Sequence, residues 1–332
     1  MKSTLAFAAF TGLATLANSL PTSEKKRDFG RHYNGFEGVK YLFVFGDSYT
    51  TTGFNMTNGS PLPTPANPMG NPPFPGWNAA NGPNWVDYLT YTYNASLLQT
   101  WNMAYGGATI DSALVAPYEP QVLSLKQQIQ DLYIPYLSAP PDRSAHSPFP
   151  RWKSDTSLFL TWIGINDIGN SYWNQNYTFQ NVLLDEYFGL MGQLYDTGAR
   201  NFVFLTVPPV DRSPLMLAQG DWATTTEHAM LLDFNTKLAA RVAAFEKDYR
   251  GTSTWLFDTV SIFNNILDNP VTADWDFKNT TNYCELYQNG TPEWDTYYPE
   301  CVYPVDEYFW LNSLHPTHWV HNQVAKALAA AL

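Results

Sequence analysis

The sequence predicts an α/β fold in which helices cover both faces of a central, mostly parallel sheet of five strands, giving three α/β/α layers. Stretches typical of buried strands alternate with helical patterns along the chain, as in parallel sheets with crossover helices. The clearest strand-like stretches are nearly continuous apolar runs, as expected for strands that are buried on both faces. No internal repeat or linker divides the chain, so we expect a single domain with long loops.

Each element follows from a local pattern. The clearest strands are predicted at residues 40–45, 156–163, 201–207 and 253–257, and a short strand at residues 97–101. Apolar residues at helical spacing predict helices at residues 120–137, 181–195, 225–249 and 317–332. Two stretches rich in turn-forming residues, 58–83 and 269–305, are predicted to be long loops. The first loop follows the candidate nucleophile described below, so we expect it to form the rim of the site.

Composition narrows the classes of partner. The 332 residues carry a net charge of −12, and the sequence has no basic patch beyond Lys25-Lys26-Arg27. Nucleic acids and anionic membrane surfaces are therefore not expected as partners. Aromatic residues make up 16 % of the chain, with 12 Trp and 21 Tyr, which suits a neutral ligand with faces to stack on, such as a sugar. Packing in the core explains any single Trp equally well.

The N-terminus predicts secretion. Lys2 precedes a short apolar stretch and small residues, which is the pattern of a signal peptide over residues 1–19. The dibasic site at Lys25-Lys26-Arg27 predicts a propeptide over residues 20–27, leaving residues 28–332 as the mature domain. No later run of about 18 apolar residues occurs, so we expect no membrane insertion.

Other features fit an extracellular glycoprotein. Cys284 and Cys301 lie in one loop-like stretch, and in an oxidising compartment we expect them to form a disulfide. Six sequons are candidate glycosylation sites: Asn55, Asn58, Asn94, Asn176, Asn279 and Asn289.

Four short motifs lie where strands are predicted to end or a helix to begin. The first predicted strand runs into F-G-D-S-Y-T, which places Ser48 at the edge where open α/β sheets bind ligands. N-M-A-Y-G-G-A contains Gly107, whose backbone N–H can approach a ligand closely, although the pair of glycines also fits a plain turn. G-I-N-D supplies Asn166, an amide able to donate to an oxyanion. N-S-L-H-P-T supplies His315, a candidate base for Ser48.

Together, and in this order, the four motifs resemble the SGNH (GDSL) hydrolase superfamily over about residues 40–330, which implies a flavodoxin-like sheet. The resemblance implies that Ser48 is the nucleophile and His315 the base. It also implies that Asn166 and the N–H groups of Gly107 and Ser48 are the oxyanion donors. With Tyr49 after the serine, the sequence is most similar to fungal acetylesterases of carbohydrate esterase family 16. That similarity implies an acetylesterase that acts on hemicellulose oligosaccharides, especially acetylated xylo-oligosaccharides.

One position departs from the superfamily pattern. The residue three before the histidine is usually Asp, and here it is Asn312. Asn312 could orient His315 through a hydrogen bond without adding a charge. A backbone carbonyl near Trp310, or Asp306 or Glu307, could do so instead, and a fourth interpretation is that the site has lost its activity.

The remaining expectations concern cofactors and rival functions. No metal or organic cofactor is expected, and His318 and His321 are interpreted as surface or packing residues because no acid or Cys is predicted to face them. The expected partner is a small ester or acetylated oligosaccharide, and the chain is expected to be a monomer. The rival functions are a lipase or phospholipase that acts on acyl lipids, and a non-catalytic carbohydrate-binding protein.

Overall fold

A parallel sheet forms the centre of the molecule in the computed structural model, which describes residues 32–138 and 149–332. The five strands are β1 (Tyr41–Gly46), β2 (Gln99–Asn102), β3 (Ser157–Trp162), β4 (Asn201–Leu205) and β5 (Ser253–Phe257), and their order in the sheet is β2-β1-β3-β4-β5. All four strand pairs are parallel, so the predicted fold class is confirmed, and the sheet is parallel throughout rather than mostly parallel. The predicted signal peptide and propeptide lie outside the described residues.

Nine α-helices are found in the described ranges. They are α1 (Trp85–Tyr91), α2 (Leu125–Gln127), α3 (Ile134–Tyr136), α4 (Ile165–Gly169), α5 (Tyr177–Asp196), α6 (Pro214–Leu217), α7 (Asp221–Asp248), α8 (Thr259–Asp268) and α9 (His318–Ala331). A π-helical stretch, Gln128–Tyr133, joins α2 to α3. Short 3-10 turns occur at Phe36–Gly38, Ser154–Thr156, Tyr172–Asn174, Val210–Arg212 and Val305–Glu307.

The helices cover both faces of the sheet, as the sequence predicted. On one face α1 packs against α9, and Trp162 of β3 contacts Trp85 of α1 and Phe263 of α8. On the other face α5 packs against α7, and Phe204 of β4 contacts Phe188 of α5. Neighbouring strand residues alternate between these two faces, which is why β1 and most positions of β3 and β4 are apolar.

The predicted element boundaries are close for the sheet and less so for the helices. The helix predicted at residues 120–137 begins at Leu125, where Ser124 caps it and Gln127 completes a capping box. The helix predicted to begin at residue 181 begins at Tyr177, because the side chain of Asn176 accepts the N–H of Phe179 and caps it there. The sequence did not predict α1, α4, α6 or α8.

The second long loop is closed by a disulfide between Cys284 and Cys301, whose Cα atoms lie 5.8 Å apart. The predicted pairing is therefore present. Cys301 is buried with Tyr287, Val305, Tyr308 and Leu311 in a small apolar cluster of its own. The disulfide thus holds together a loop that is packed separately from the main core.

We expect the double substitution Cys284→Ser/Cys301→Ser to lower the free energy of unfolding by about 3 kcal/mol, because the bond constrains a short loop in the unfolded chain. Denaturant melts of the variant and of the unreduced wild type measure the difference. Free thiols titrated in unreduced, denatured wild-type protein would contradict the pairing itself.

Within residues 32–138 and 149–332, none of the helices combines the length and the apolar composition that spanning a bilayer requires.

Candidate active site

The turn that carries Ser48 is built at the carboxyl end of β1. Gly46 has φ 155°, and a β-carbon there would collide with the carbonyl oxygen of Trp162, so only glycine fits. The side chain of Gln128 holds this glycine from both sides, accepting its N–H at 3.0 Å and donating to its carbonyl at 2.8 Å. The carboxylate of Asp47 accepts the N–H of Tyr49 at 3.0 Å. These contacts fix the conformation of the turn in which Ser48 follows β1.

Ser48, His315 and Asn312 form a continuous hydrogen-bonded chain. Oγ of Ser48 lies 2.7 Å from Nε2 of His315, and Nδ1 of His315 lies 2.9 Å from Oδ1 of Asn312. The Asn312 oxygen can only accept, so Nδ1 carries the ring proton and Nε2 is left to accept the hydroxyl proton of Ser48. The geometry therefore selects the tautomer that a general base requires.

The orientation of the Asn312 side chain is fixed by backbone N–H groups of the turn that follows it. Its Oδ1 also accepts the N–H groups of Leu314 at 3.0 Å and of His315 at 2.9 Å. With two backbone donors at the oxygen, the amide cannot turn its NH₂ group toward the ring without losing both bonds. Of the interpretations left open by the sequence, the structure therefore favours Asn312 as the residue that orients His315.

The other candidate partners of His315 lie elsewhere. Among the described residues, Nδ1 of His315 has no hydrogen bond to a backbone carbonyl, and the carbonyl of His315 itself accepts from Leu311. Asp306 and Glu307 border a separate depression beside Trp275 and Trp319. Neither acid has a hydrogen bond to His315 among the described residues, so the structure does not support the interpretation that one of them orients the base.

Three residues that line the cleft around the nucleophile have N–H groups that protein acceptors do not fully use. Within the described part of the chain, the backbone N–H groups of Ser48 and Gly107 donate to no protein acceptor. Nδ2 of Asn166 donates to the carbonyl of Ala108 at 2.9 Å, which fixes the amide and leaves its second N–H for a ligand. Gly107 has φ 82°, and a β-carbon there would collide with the ring of Tyr118. These three groups can together hold a developing oxyanion.

Tyr49 links the nucleophile turn to the loop of the base. Its buried hydroxyl donates to the carbonyl of Leu314 at 2.6 Å, and its ring centroid lies 5.5 Å from that of His315. The sequence marked Tyr49 only as a point of similarity and gave it no role. Asp47 and Gln128 were likewise not predicted to support the turn, and no sequence pattern that we used could have found Gln128, which lies 82 residues away.

The candidate site opens into a cleft of about 690 Å³ that is lined by all four motifs. Gly76, Trp77, Asn78 and Ala79 of the first long loop form part of its wall, so the prediction that this loop forms the rim is confirmed. Trp77 is 78 % exposed and Tyr118 is 71 % exposed, so both present open aromatic faces beside Ser48. Asn289, a sequon residue of the second long loop, also borders the cleft.

Burial sets the protonation of the site. Burial lowers the pKa of His315 to about 4, so its ring is neutral at neutral pH and ready to accept a proton. Burial raises the pKa of Asp47 to about 7, although the N–H of Tyr49 opposes the shift and Asp167 adds to it. Asp167 has its pKa raised to about 7 by the same cause, opposed by the backbone N–H of Ile110. Burial thus favours the uncharged form of all three groups.

The two histidines of α9 are packing residues rather than surface residues. His318 and His321 are buried, and Nδ1 of His318 lies 2.8 Å from the hydroxyl of Tyr88. Within the ranges that the structure describes, no three His, Cys, Asp or Glu side chains are grouped so that they could hold a metal ion.

The amino-acid sequence is similar to those of known proteins. The pattern of the GDSL-like lipase/acylhydrolase family matches residues 42–328. An acetylesterase from Thermothelomyces thermophilus is 37 % identical over 298 residues, which are 88 % of each chain. A thermolabile hemolysin from Vibrio parahaemolyticus is 26 % identical over 87 % of this chain, and the match covers 63 % of that protein.

A solved structure is also similar. An acetylxylan esterase from Geobacillus stearothermophilus aligns with a TM-score of 0.42 and 16 % identity, over 88 % of this chain and 93 % of that one. The family match spans most of the chain and includes all four motifs. The chain belongs to the GDSL-like lipase/acylhydrolase family.

Proposed function

We propose that this protein is a serine acetylesterase that removes acetyl groups from hemicellulose oligosaccharides, with acetylated xylo-oligosaccharides as its main substrates. The observation that carries the proposal is the chain from Ser48 through His315 to Asn312, with contacts of 2.7 and 2.9 Å, beside three free or partly free N–H donors. Similarity to a fungal acetylesterase over most of both chains supports the acetyl group as the acyl part. The open aromatic faces of Trp77 and Tyr118 support a sugar as the alcohol.

The proposed mechanism is a two-step acyl transfer. Nε2 of His315 accepts the hydroxyl proton while Oγ of Ser48 attacks the ester carbonyl. The oxyanion accepts hydrogen bonds from the N–H groups of Ser48 and Gly107 and from the amide of Asn166. His315 then returns the proton to the leaving alcohol, and water, activated by the same histidine, hydrolyses the acetyl-enzyme.

A comparison of three substrates tests the proposal. We expect kcat/KM to be higher for an acetylated xylo-oligosaccharide than for 4-nitrophenyl acetate, and higher for 4-nitrophenyl acetate than for the butyrate. A preference for butyrate or longer esters would favour a lipase. Failure of an organophosphonate to label Ser48 would favour a protein that binds without catalysis.

Asn312→Ala tests how His315 is oriented. The substitution removes the acceptor at Nδ1, where the imidazolium forms during the reaction, and a hydrogen bond to a charged group contributes about 1.5–3 kcal/mol. We expect kcat to fall by roughly 10- to 150-fold with KM little changed. A fall of only a few fold would show that another group orients the base. Asp306→Asn and Glu307→Gln serve as controls, and both variants should stay active.

Asn312→Asp tests the protonation of the same group. His315 works only when it is neutral, so its pKa of about 4 predicts that wild-type kcat/KM falls with decreasing pH only near pH 4. A carboxylate at position 312 stabilises the imidazolium and raises the pKa of His315, by about 1–3 units for a close opposite charge. We therefore expect the acid limb of the pH profile to move upward by that amount. An unmoved limb would show that the limb does not report His315.

We also propose that the protein is a secreted, glycosylated monomer. Four of the six sequon residues, Asn55, Asn58, Asn176 and Asn289, are exposed to solvent, which supports their access to glycosylation. Secretion from a fungal host, a loss of mass after endoglycosidase treatment, and a monomer by light scattering are the expected results. An unchanged mass would contradict the glycosylation.

A further inference from the structure

A smaller pocket adjoins the cleft of the candidate active site. It has a volume of about 230 Å³, and both Asn166 and Leu314 line the pocket as well as the cleft. Asn166 is the proposed oxyanion donor, and Leu314 directly precedes His315. The pocket is below the range of about 300–1,000 Å³ that is typical of sites for drug-sized ligands, so it suits a single ring. No step of the mechanism above uses it.

A buried carboxyl group borders this pocket. Glu227 of α7 is 2 % exposed, and its Oε2 has no hydrogen-bond partner among the described residues. Burial, with a smaller contribution from Asp211, raises the pKa of Glu227 to about 8, so the group is a neutral acid below that pH. A neutral carboxylic acid can donate one hydrogen bond and accept others. Such a group is costly to leave unpaired in a buried position. Its other oxygen, Oε1, has no hydrogen bond among the described residues and is not fully enclosed, so it is the atom that can take a partner in the pocket.

The other walls of the pocket combine aromatic faces with amides. The rings of Tyr172 and Trp173 meet edge to face, with centroids 5.4 Å apart and planes at 75°, and Trp173 is 49 % exposed. Asn170 and Gln219 add amide groups, and Gln219 is held in place because its Oε1 accepts the hydroxyl of Tyr172 at 2.9 Å. Flat apolar faces beside hydrogen-bonding groups match a molecule that has both C–H faces and hydroxyl groups.

From this arrangement we propose that the pocket binds a second sugar ring of the substrate, whose hydroxyls pair with Glu227 while its face packs on Trp173. The inference rests on the proposed function, since it requires an oligosaccharide as the alcohol part of the ester. It assigns the acetylated sugar to the main cleft and an unacetylated neighbour to this subsite. The enzyme would then favour chains of two or more sugars over single acetylated sugars.

The chemistry of the pocket favours a sugar over an acyl chain. A hydrocarbon tail would leave the carboxyl group of Glu227 buried without a partner, whereas a hydroxyl satisfies it. The position agrees with this choice, because His315 must protonate the leaving alcohol and Leu314, its neighbour in sequence, borders the pocket.

Glu227→Leu and Glu227→Gln form a matched pair that tests the proposal. We expect Glu227→Leu to lower kcat/KM for an acetylated xylotriose by about 3- to 10-fold, as loss of one neutral hydrogen bond does. Glu227→Gln, which keeps a donor and an acceptor, should restore most of this loss. The value for 4-nitrophenyl acetate, which cannot reach the pocket, should stay within about twofold in both variants. An equal fall on both substrates would overturn the proposal, as would a gain on 4-nitrophenyl butyrate or hexanoate, which would assign the pocket to the acyl chain.

Trp173→Ala gives a second test at a residue that is itself half exposed. It should weaken the use of acetylated xylotriose but not of 4-nitrophenyl acetate. Trp222→Ala is its control, because Trp222 is 59 % exposed and contacts Tyr172 but does not line the pocket. Equal effects of the two substitutions would count against the subsite.

Binding separates failure of the subsite from failure of the proposed function. Calorimetry with Ser48→Ala protein measures the affinity for acetylated xylotriose without turnover. Weaker binding when Glu227→Leu or Trp173→Ala is added supports the subsite, and unchanged binding overturns it. If the wild type does not deacetylate the oligosaccharide at all, the proposed function fails, and the binding result still decides about the pocket.

Discussion

Ser48→Ala should reduce ester hydrolysis to near background. The hydroxyl of Ser48 lies 2.7 Å from the only nitrogen of His315 that can accept its proton, and no other hydroxyl shares that contact among the described residues. Without the nucleophile, His315 and Asn312 have nothing to activate. Loss of Ser48 alone should therefore cost about as much activity as loss of all three residues. We expect kcat for 4-nitrophenyl acetate to fall by a factor on the order of 10⁶, as for other serine hydrolases that lose the nucleophile.

A matched serine separates loss of chemistry from loss of fold. Ser112→Ala removes an exposed hydroxyl outside the cleft and should keep wild-type rates. Thermal melts of both variants should agree with the wild type. An organophosphonate should add its mass to wild-type and Ser112→Ala protein but not to Ser48→Ala protein. Retention of a tenth of the wild-type activity by Ser48→Ala would remove Ser48 from its proposed role.

The sheet could be predicted because burial on both faces leaves a strong signal in the sequence. The run before Ser48 is apolar throughout and corresponds to β1, and the runs for β3, β4 and β5 were placed within one or two residues. Short helices leave a weaker signal. Trp85–Tyr91 spans only two turns, which is too few to show helical spacing, although its cap, Asn84, could have been read with Asp87 as a capping box.

The candidate site could be predicted as a set of residues but not as a geometry. Ser48, Gly107, Asn166 and His315 follow strands or precede a helix, and parallel strands bring such positions to one edge of the sheet. The role of Asn312 could not be decided from the sequence, because it depends on whether the amide oxygen or a backbone carbonyl reaches Nδ1. Two backbone N–H groups of a tight turn decide it, and their positions become known only from the folded loop.

Contacts between distant parts of the chain lie beyond any local pattern. The bond from the hydroxyl of Tyr49 to the carbonyl of Leu314 joins residues 265 apart. This hydrogen bond connects the turn of the nucleophile to the loop of the base. It therefore helps to hold Ser48 and His315 at their contact distance of 2.7 Å. Glu227 was not considered as a site residue, since a lone Glu in a predicted helix is typical of a solvated surface. It is buried only in the folded structure, where α7 packs against α4, α6 and two 3-10 turns.

Asn166→Ala should lower kcat more than any substitution at another residue except Ser48→Ala. In the resting structure the amide is already fixed by its bond to the carbonyl of Ala108, so it needs no reorganisation when charge develops on the substrate oxygen. Removal of one such preorganised donor lowers kcat by roughly 10²–10³, which corresponds to about 2.7–4 kcal/mol of transition-state stabilisation. KM should change little, because the ground-state carbonyl carries much less negative charge than the oxyanion.

Two comparison variants show whether the lost group is a donor to the oxyanion. Asn166→Asp keeps the size but replaces the N–H groups with a negative charge, so it should be at least as slow as Asn166→Ala. Asn174→Ala removes an exposed amide from the neighbouring 3-10 turn and should leave kcat unchanged. If Asn166→Ala changed KM alone, the amide would bind substrate without stabilising the transition state, and the N–H groups of Ser48 and Gly107 would have to hold the oxyanion by themselves.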